Sequence, residues 1–371
     1  MTATGTIKSL FVAAFLTGCL FPVTALAKKE RPPLNVKEVI MGHLEDSYQW
    51  HLFTAGDRHI GIPLPVIVRS RERGWFVFMS SKLKEQEHYR GFYYADTGRL
   101  KGKIVENDTA GQQVRPFDIS ITKNVLALFF SCGILIFLVL RLSGRYRKLE
   151  LEGNPDAVPA GIPGIMEWFI MSIHDGVIKK CVGKDYQRYA PYLLTAFFFI
   201  FLNNVLGLVP IFPAGANLTG NIAITMGLAF FTMFAVNIFG NREYWKEILW
   251  PDVPVFMKVP VPIMQIIEFF GILTKPLALT IRLFANIFAG HIIILALTSL
   301  VFLTVAMGPA VNASMSAASV LFSVFMMALE LLVAYIQAYV FTMLSSIFIG
   351  LSRQEPHKHK TACAVQDQSI H

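Results

Sequence analysis

The sequence predicts an all-α polytopic membrane protein, five transmembrane helices plus an interfacial helix, with a small, mostly β extramembrane N-terminal domain. Three observations predict it. The chain of 371 residues is 54% hydrophobic with a mean hydropathy of +0.51, which is too apolar for a soluble globule. From Pro276 to Ser352 it carries only two formal charges, Arg282 and Glu330, and one histidine, His291. That stretch is long enough to cross a bilayer twice, since one crossing needs about 20 residues. Residues 28–120, by contrast, are charged, mixed in sign and broken by Gly and Pro.

The elements follow in chain order. Residues 1–27 read as a secretory signal: Lys8 gives a weakly basic start, Leu10 to Leu20 an apolar core, and Ala25-Leu26-Ala27 a small-residue cleavage site. An uncleaved first anchor, or lipoprotein processing at Leu16-Thr17-Gly18-Cys19, stays open as an alternative. In residues 28–120, the runs Ile60–Val68, Trp75–Met79 and Gly91–Tyr94 are rich in β-branched and aromatic residues with turn residues between them. They predict a mostly β extramembrane domain. His43, His51 and His59 recur every eight residues there, a spacing that suits packed or solvated histidines better than a metal site.

Residues 121–352 form the predicted membrane domain. Lys123–Leu140 is its first span, and Arg141, Arg145, Arg147 and Lys148 follow directly. The excess of positive charge on cytoplasmic loops places that end inside the cell and the β domain in the periplasm. Ile165–Val177 is amphipathic and fits either a helix lying along the cytoplasmic interface or a loop helix packed on protein. Tyr192–Val209 spans outward and the uncharged loop Pro210–Gly220 lies outside. Asn221–Phe239 spans back, and Arg242, Lys246 and Lys258 mark the inside again. Pro260–Leu303 and Ala317–Leu351 are the last two spans, joined by an uncharged outer turn, Ala306–Ser316. Residues 353–371 are then a cytoplasmic tail.

Other classes are excluded. The net charge of +8 comes from scattered residues without a nucleic-acid recognition motif, so it belongs to cytoplasmic loops. Cys19, Cys132, Cys181 and Cys363 lie in separate segments with no metal-ligand spacing, and no Rossmann, P-loop or hydrolase motif occurs. No cofactor is called for.

The chemistry sits in the last two spans. An Arg near the bilayer centre costs at least ~2.5 kcal/mol, so its presence points to an ion or proton path. Glu268, Lys275 and Arg282 recur every seven residues and share a stripe, with Asn286 one turn beyond Arg282. His291, nine residues after Arg282, points to the other side of a regular helix. Glu330 and Gln337 share a face of the next helix. A buried Arg282–Glu330 ion pair locking the two helices is the plain structural alternative. These polar side chains are more than one lock requires, and His with a carboxylate is the usual material of a proton relay.

The run Thr274-Lys275-Pro276-Leu277-Ala278-Leu279-Thr280-Ile281-Arg282-Leu283-Phe284-Ala285-Asn286-Ile287-Phe288-Ala289-Gly290-His291 resembles the signature helix of subunit a of F-type ATP synthases. Leu202-Asn203-Asn204-Val205-Leu206-Gly207-Leu208-Val209-Pro210 resembles an upstream segment of that family, although some relatives carry Asp where Gly207 stands. The resemblance covers roughly residues 120–352. It implies the stator half of a proton channel, with Arg282 facing the rotating ring of c subunits. Glu268, Asn286, His291, Glu330 and Gln337 would then lie along two half-channels, and Lys275 and Asn204 would be secondary lining positions. His291 early and Glu330 late reverse the order of some relatives, which implies that the two positions touch. Implied partners are the c-ring, the subunit b stalk, the rest of the complex and the lipid bilayer of a bacterial inner membrane. H+ is the implied ion, and the sequence leaves Na+ open. Such a subunit is not itself an enzyme. A stand-alone proton-coupled secondary transporter is the alternative, although no internal repeat typical of that class is present.

Overall fold

A computed structural model describes residues 46–55, 58–85, 88–95, 98–108, 111–153, 161–209, 218–249 and 263–353. The signal segment, His43, Lys258, most of the Pro210–Gly220 loop and the tail beyond Arg353 lie outside these residues.

The first part is β-rich. Strands β1 (Gln49–Ala55) and β2 (Arg58–Pro63) form an antiparallel hairpin, with a register shift between His51 and Phe53. Strand β3 (Pro65–Ser70) is the centre of a second sheet, between β4 (Gly74–Met79) and β8 (Phe117–Asp118). Strands β5 (Phe92–Tyr94), β6 (Ile104–Asn107) and β7 (Gln113–Val114) form a third. A short helix, α1 (Ser81–Glu85), follows β4. The apolar run Ile60–Val68 therefore divides at Leu64 into two strands of different sheets, because Pro65 cannot donate its nitrogen to a continuous ladder. Alternation in β3 and β4 buries Val66, Val68 and Phe78 with Tyr48, Leu83, Phe92 and Ile104. In the hairpin, His51 stands opposite Gly61 and His59 opposite Thr54.

The remainder is helical. Helix α2 (Lys123–Leu151) starts under a Thr122 cap and runs past Leu140 through the basic residues, ending at Leu151. Long basic side chains can reach water from such a helix end, so charge did not stop the helix. Helix α3 (Ile162–Ile173), a π-helical turn (His174–Ile178) and α4 (Lys179–Val182) correspond to the amphipathic segment. Ile173, Ile178 and Val182 join the main core, so this segment packs on protein, while Ile165, Trp168 and Met171 stay exposed. Helices α5 (Tyr186–Leu208) and α6 (Ile222–Ile238) lead to α7 (Arg242–Leu249). The 17 residues of α6 are at the short end of the spanning range.

Two long helices complete the chain, α8 (Ile263–Leu303) and α9 (Pro309–Ser352). The turn between them is tighter than the sequence suggested: α9 begins at Pro309 instead of Ala317, after Gly308 at a φ of 103° that favours glycine. Among the described residues, four helical stretches are long and apolar enough to cross a membrane, with α6 as a shorter apolar helix. Large apolar side chains such as Phe130, Ile136 and Phe137 point outward, while Ser319, Thr342, Ser345 and Ser346 of α9 are buried. Small residues inside and large ones outside are what helix packing in lipid favours. At its end, α9 brings Gly350 against the Cys181 carbonyl, where no Cβ would fit.

Both ends of the bundle are fastened. At one end, Trp50 of β1 is buried with Ala127 of α2 and Leu218, and Ile62, Phe199 and Ile224 pack around them. At the other, the Arg353 guanidinium donates twice to Asp185 Oδ2, at 2.8 and 3.1 Å, and also to the Phe239 carbonyl and Asn241 Oδ1.

Candidate functional site

Arg282 lies on the exposed side of α8, on a stripe with Leu277, Ile281, Ala285 and Asn286. The stripe is apolar apart from Arg282 and Asn286, and among the described residues Arg282 has no hydrogen-bond or ion-pair partner. The buried Arg282–Glu330 pair considered above is therefore absent. Glu330 has a different partner.

That partner is His291. Its Nδ1 lies 2.7 Å from Glu330 Oε1, a direct hydrogen bond between the two side chains. The histidine side chain is 17% exposed and the carboxylate 4%, so the pair faces the interior between α8 and α9. Nine residues along α8 set His291 about 14 Å from Arg282 towards the β-domain end, on another side of the helix. Gly290 makes the approach possible: a Cβ there would stand 2.6 Å from Glu330 Oε1. Glu330 Oε2 is buried and has no partner among the described residues. Two turns further along α9, Gln337 is also buried.

Helix α5 closes this end. Asn204 Nδ2 donates to the Ala334 carbonyl at 3.4 Å, and Thr219 Oγ donates to Asn204 Oδ1 at 2.6 Å. Ala334 is one helical turn from Glu330. Asn203 turns back and donates to the Phe199 carbonyl of its own helix.

On the other side of Arg282, α8 carries Lys275 and Glu268, both half-buried. Lys275 Nζ lies over the Phe348 ring, 5.5 Å from its centroid. A cavity of about 20 Å³, lined by Thr232, Asn237, Tyr244 and Lys275 among others, separates α6 from α8. That is room for one water. Tyr244 donates to Asn237 Oδ1 at 3.0 Å, and burial, with the Glu268 charge adding to it, raises its phenol above the usual range. Nearby, Tyr192 and Thr232 hydroxyls are 2.9 Å apart, and Thr232 and Ser345 hydroxyls 3.5 Å.

The structure thus brings His291 together with Glu330, and it sets Glu268 and Lys275 apart from them on the far side of Arg282. Sequence reasoning missed Gly290, Thr219 and the Tyr192–Thr232–Ser345 hydroxyls. Only Gly290, small and next to a membrane histidine, left a readable trace. Among the described residues, no three His, Cys, Asp or Glu side chains gather as a metal site.

Comparison with known proteins gives two matches along the chain. Residues 125–350 match the family described as ATP synthase A chain, and residues 39–123 match one described as a domain of unknown function. The chain is 42% identical over 254 residues to ATP synthase subunit a of Chlorobium phaeobacteroides (strain DSM 266), covering 67% of this chain and 70% of that protein. It is 39% identical over 253 residues to ATP synthase subunit a 2 of Chlorobaculum tepidum, covering 67% of each. To ATP synthase subunit a of Myxococcus xanthus it is 40% identical over 249 residues, covering 65% of this chain and 76% of that protein.

Proposed function

This chain belongs to the ATP synthase A chain family and is the proton-channel stator subunit of the Fo sector; from that premise we propose that Arg282 is the fixed charge past which the rotor carboxylates move. The observation that carries the proposal is an unpaired, exposed guanidinium on an apolar helix face, with the titratable pair His291–Glu330 turned inward on one side and Glu268 with Lys275 on the other. The subunit is a multi-pass membrane protein that works within the F-type complex and is not itself catalytic. The stand-alone transporter finds no support among its relatives.

The c-ring packs against the exposed stripe of α8, and the subunit b stalk and lipid cover other outer faces. A proton enters from the β-domain side, where Glu330, His291, Gln337 and Asn204 line the path, and loads a carboxylate of a c subunit. That carboxylate is neutral while it faces lipid. When it comes round to Arg282, the guanidinium, charged at any working pH, favours the ionised form and lowers its pKa. The released proton leaves past Lys275 and Glu268, while Asn286 stands one turn from Arg282 on the entry side. Arg282 stands between the two paths and blocks a direct leak.

The β domain (residues 28–120) is periplasmic and follows a cleaved signal peptide (1–27); the tail (353–371) is cytoplasmic. The basic flank of α2 and the uncharged α8–α9 turn support this orientation in a bacterial inner membrane. N-terminal sequencing of the purified subunit tests it. A chain starting at Lys28 agrees; one starting at Met1 or at a lipid-modified Cys19 does not.

Arg282→Ala tests the central claim. ATP-driven proton pumping in inverted membrane vesicles is expected to disappear while the complex still assembles. Lysine is expected to fail almost as badly, because a desolvated ammonium can lose its proton. Near-normal pumping by Arg282→Ala overturns the proposal.

A further inference from the structure

The β domain has no assigned task, yet it does not merely sit beside the membrane helices. Trp50 and Ile62 face each other across the β1–β2 hairpin. Trp50 is 4% exposed and forms a buried cluster with Ala127 and Leu218, against which Ile62, Phe199 and Ile224 pack. The cluster that holds the indole thereby joins α2, α5, the chain entering α6, and the first turn of α6. The hairpin is also tied to the start of α2: the Lys123 amide donates to the Ser47 carbonyl at 2.9 Å and the Asn124 amide to Asp46 Oδ1 at 3.1 Å.

Leu218 is the residue before Thr219. Thr219 is 1% exposed and places its hydroxyl on Asn204, which is 2% exposed and reaches the Ala334 carbonyl one turn from Glu330. From Trp50 to the Ala334 carbonyl the chain of residues is buried, and it ends one turn of α9 from Glu330. The buried residues of α5 and α6 include no charged group; at this end the His291–Glu330 pair lies between α8 and α9, and Asp46 and Lys123 lie at the start of α2.

We infer that the β1–β2 hairpin is a positioning element of the outer proton path, with Trp50 holding Leu218 so that Thr219 and Asn204 fix α5 against α9 beside Glu330. This inference rests on the functional reading above. Without the indole, the Leu218–Gly220 turn loosens and Thr219 leaves Asn204. The Asn204 carbonyl oxygen then loses its donor in a buried site, and the α5–α9 contact that borders the relay shifts. Protons reach the relay from outside less readily, while the rotor-facing side of α8 is unchanged.

The test uses inverted vesicles carrying the whole complex, whose lumen corresponds to the outer side. ATP synthesis is followed at fixed electrical potential as lumenal proton concentration is varied. Trp50→Ala and Thr219→Val are each expected to raise the proton concentration for half-maximal rate about tenfold, the scale of one lost buried hydrogen bond, with little change in maximal rate. Combining them is expected to add little, since both act on one link. Trp50→Phe restores the wild-type value. Trp75→Ala, on the exposed face of β4, leaves it untouched. If Trp50→Ala does not assemble, Ile62→Ala and Thr219→Val decide the matter. Variants that lower only the maximal rate or the amount of complex overturn the inference, as does a wild-type curve. Arg282→Ala in the same vesicles separates the two failures: if it pumps normally, the functional reading has fallen, and not the role of the hairpin.

Discussion

His291 and Glu330 meet across the α8–α9 hairpin, Nδ1 to Oε1 at 2.7 Å, although 39 residues separate them in the chain. The contact is direct, so removing either member strands the other in a buried site. Alanine at either position is expected to reduce proton flux at least tenfold, on the scale of an orphaned buried polar group. The double exchange His291→Glu with Glu330→His is expected to recover more flux than either single exchange, as measured by ATP-driven quenching of a pH-sensitive dye. A double exchange no better than the worse single one argues against coupling.

Gly290 supplies the space for that contact. A methyl group there would stand 2.6 Å from Glu330 Oε1 and 3.0 Å from its Cδ. The carboxylate is the mobile end of its side chain, so Gly290→Ala is expected to fold and assemble. It moves the carboxylate off the imidazole instead. Flux is expected to fall towards the level of Glu330→Ala, and Gly290→Ala made in a Glu330→Ala background is expected to have little further effect.

The Arg353 clasp makes a separable prediction. Its guanidinium joins α9 to Asp185, the Phe239 carbonyl and Asn241. The Asp185 side chain is 50% exposed, so solvent screens the ion pair and most of the stabilisation comes from the planar fork. Arg353→Ala is expected to destabilise the solubilised subunit by about 1–2 kcal/mol. Arg353→Lys is expected to recover less than half of that, because an ammonium cannot serve three acceptors in one plane. Thermal unfolding of the purified complex reads both.

The β domain carries a pH limit. Burial first, then the hydrogen bond to Asp118, raises the Tyr48 phenol far above its usual value of 10.0. Burial alone pushes Tyr94 up to about 12. A phenol whose pKa is raised by folding adds stability that is complete below pH 10 and is lost as pH climbs through the folded-state value. The domain is thus expected to loosen above pH 10, seen as growing protease sensitivity of residues 46–120. Tyr48→Phe is expected to flatten that rise while lowering stability at pH 7.

Much of the membrane domain was legible because the bilayer leaves few options. Apolar runs near the spanning length mark the helices, and Arg282, His291 and Glu330 stand out against them. Even the turn was written in Gly308-Pro309, a glycine followed by a proline suited to the first helical position. The apolar count alone began the last helix at Ala317 because Asn312, Ser314 and Ser316 weakened it. What could not be read were contacts between distant segments. Trp50 lies in a strand that looks like any other, and nothing local says it will meet Leu218. Thr219 and Asn204 are ordinary polar residues until the fold puts one above the other. The end of α2 was hidden for another reason: basic residues mark where a helix leaves the hydrocarbon, which is not where it stops.

The turn at Gly308 sets a rule for how chains of this kind can change in length. From His291 to Gly308 and from Gly308 to Glu330, no loop stands ready to absorb an extra residue, because helix continues on both sides of a single tight corner. One residue gained or lost in α9 ahead of Glu330 rotates the carboxylate by about 100° and slides it about 1.5 Å. Genetic drift in this hairpin can therefore proceed by substitution, or by paired changes that restore the phase of both helices. The constraint continues beyond the relay, because α9 must still bring Gly350 to the Cys181 carbonyl and Arg353 to Asp185.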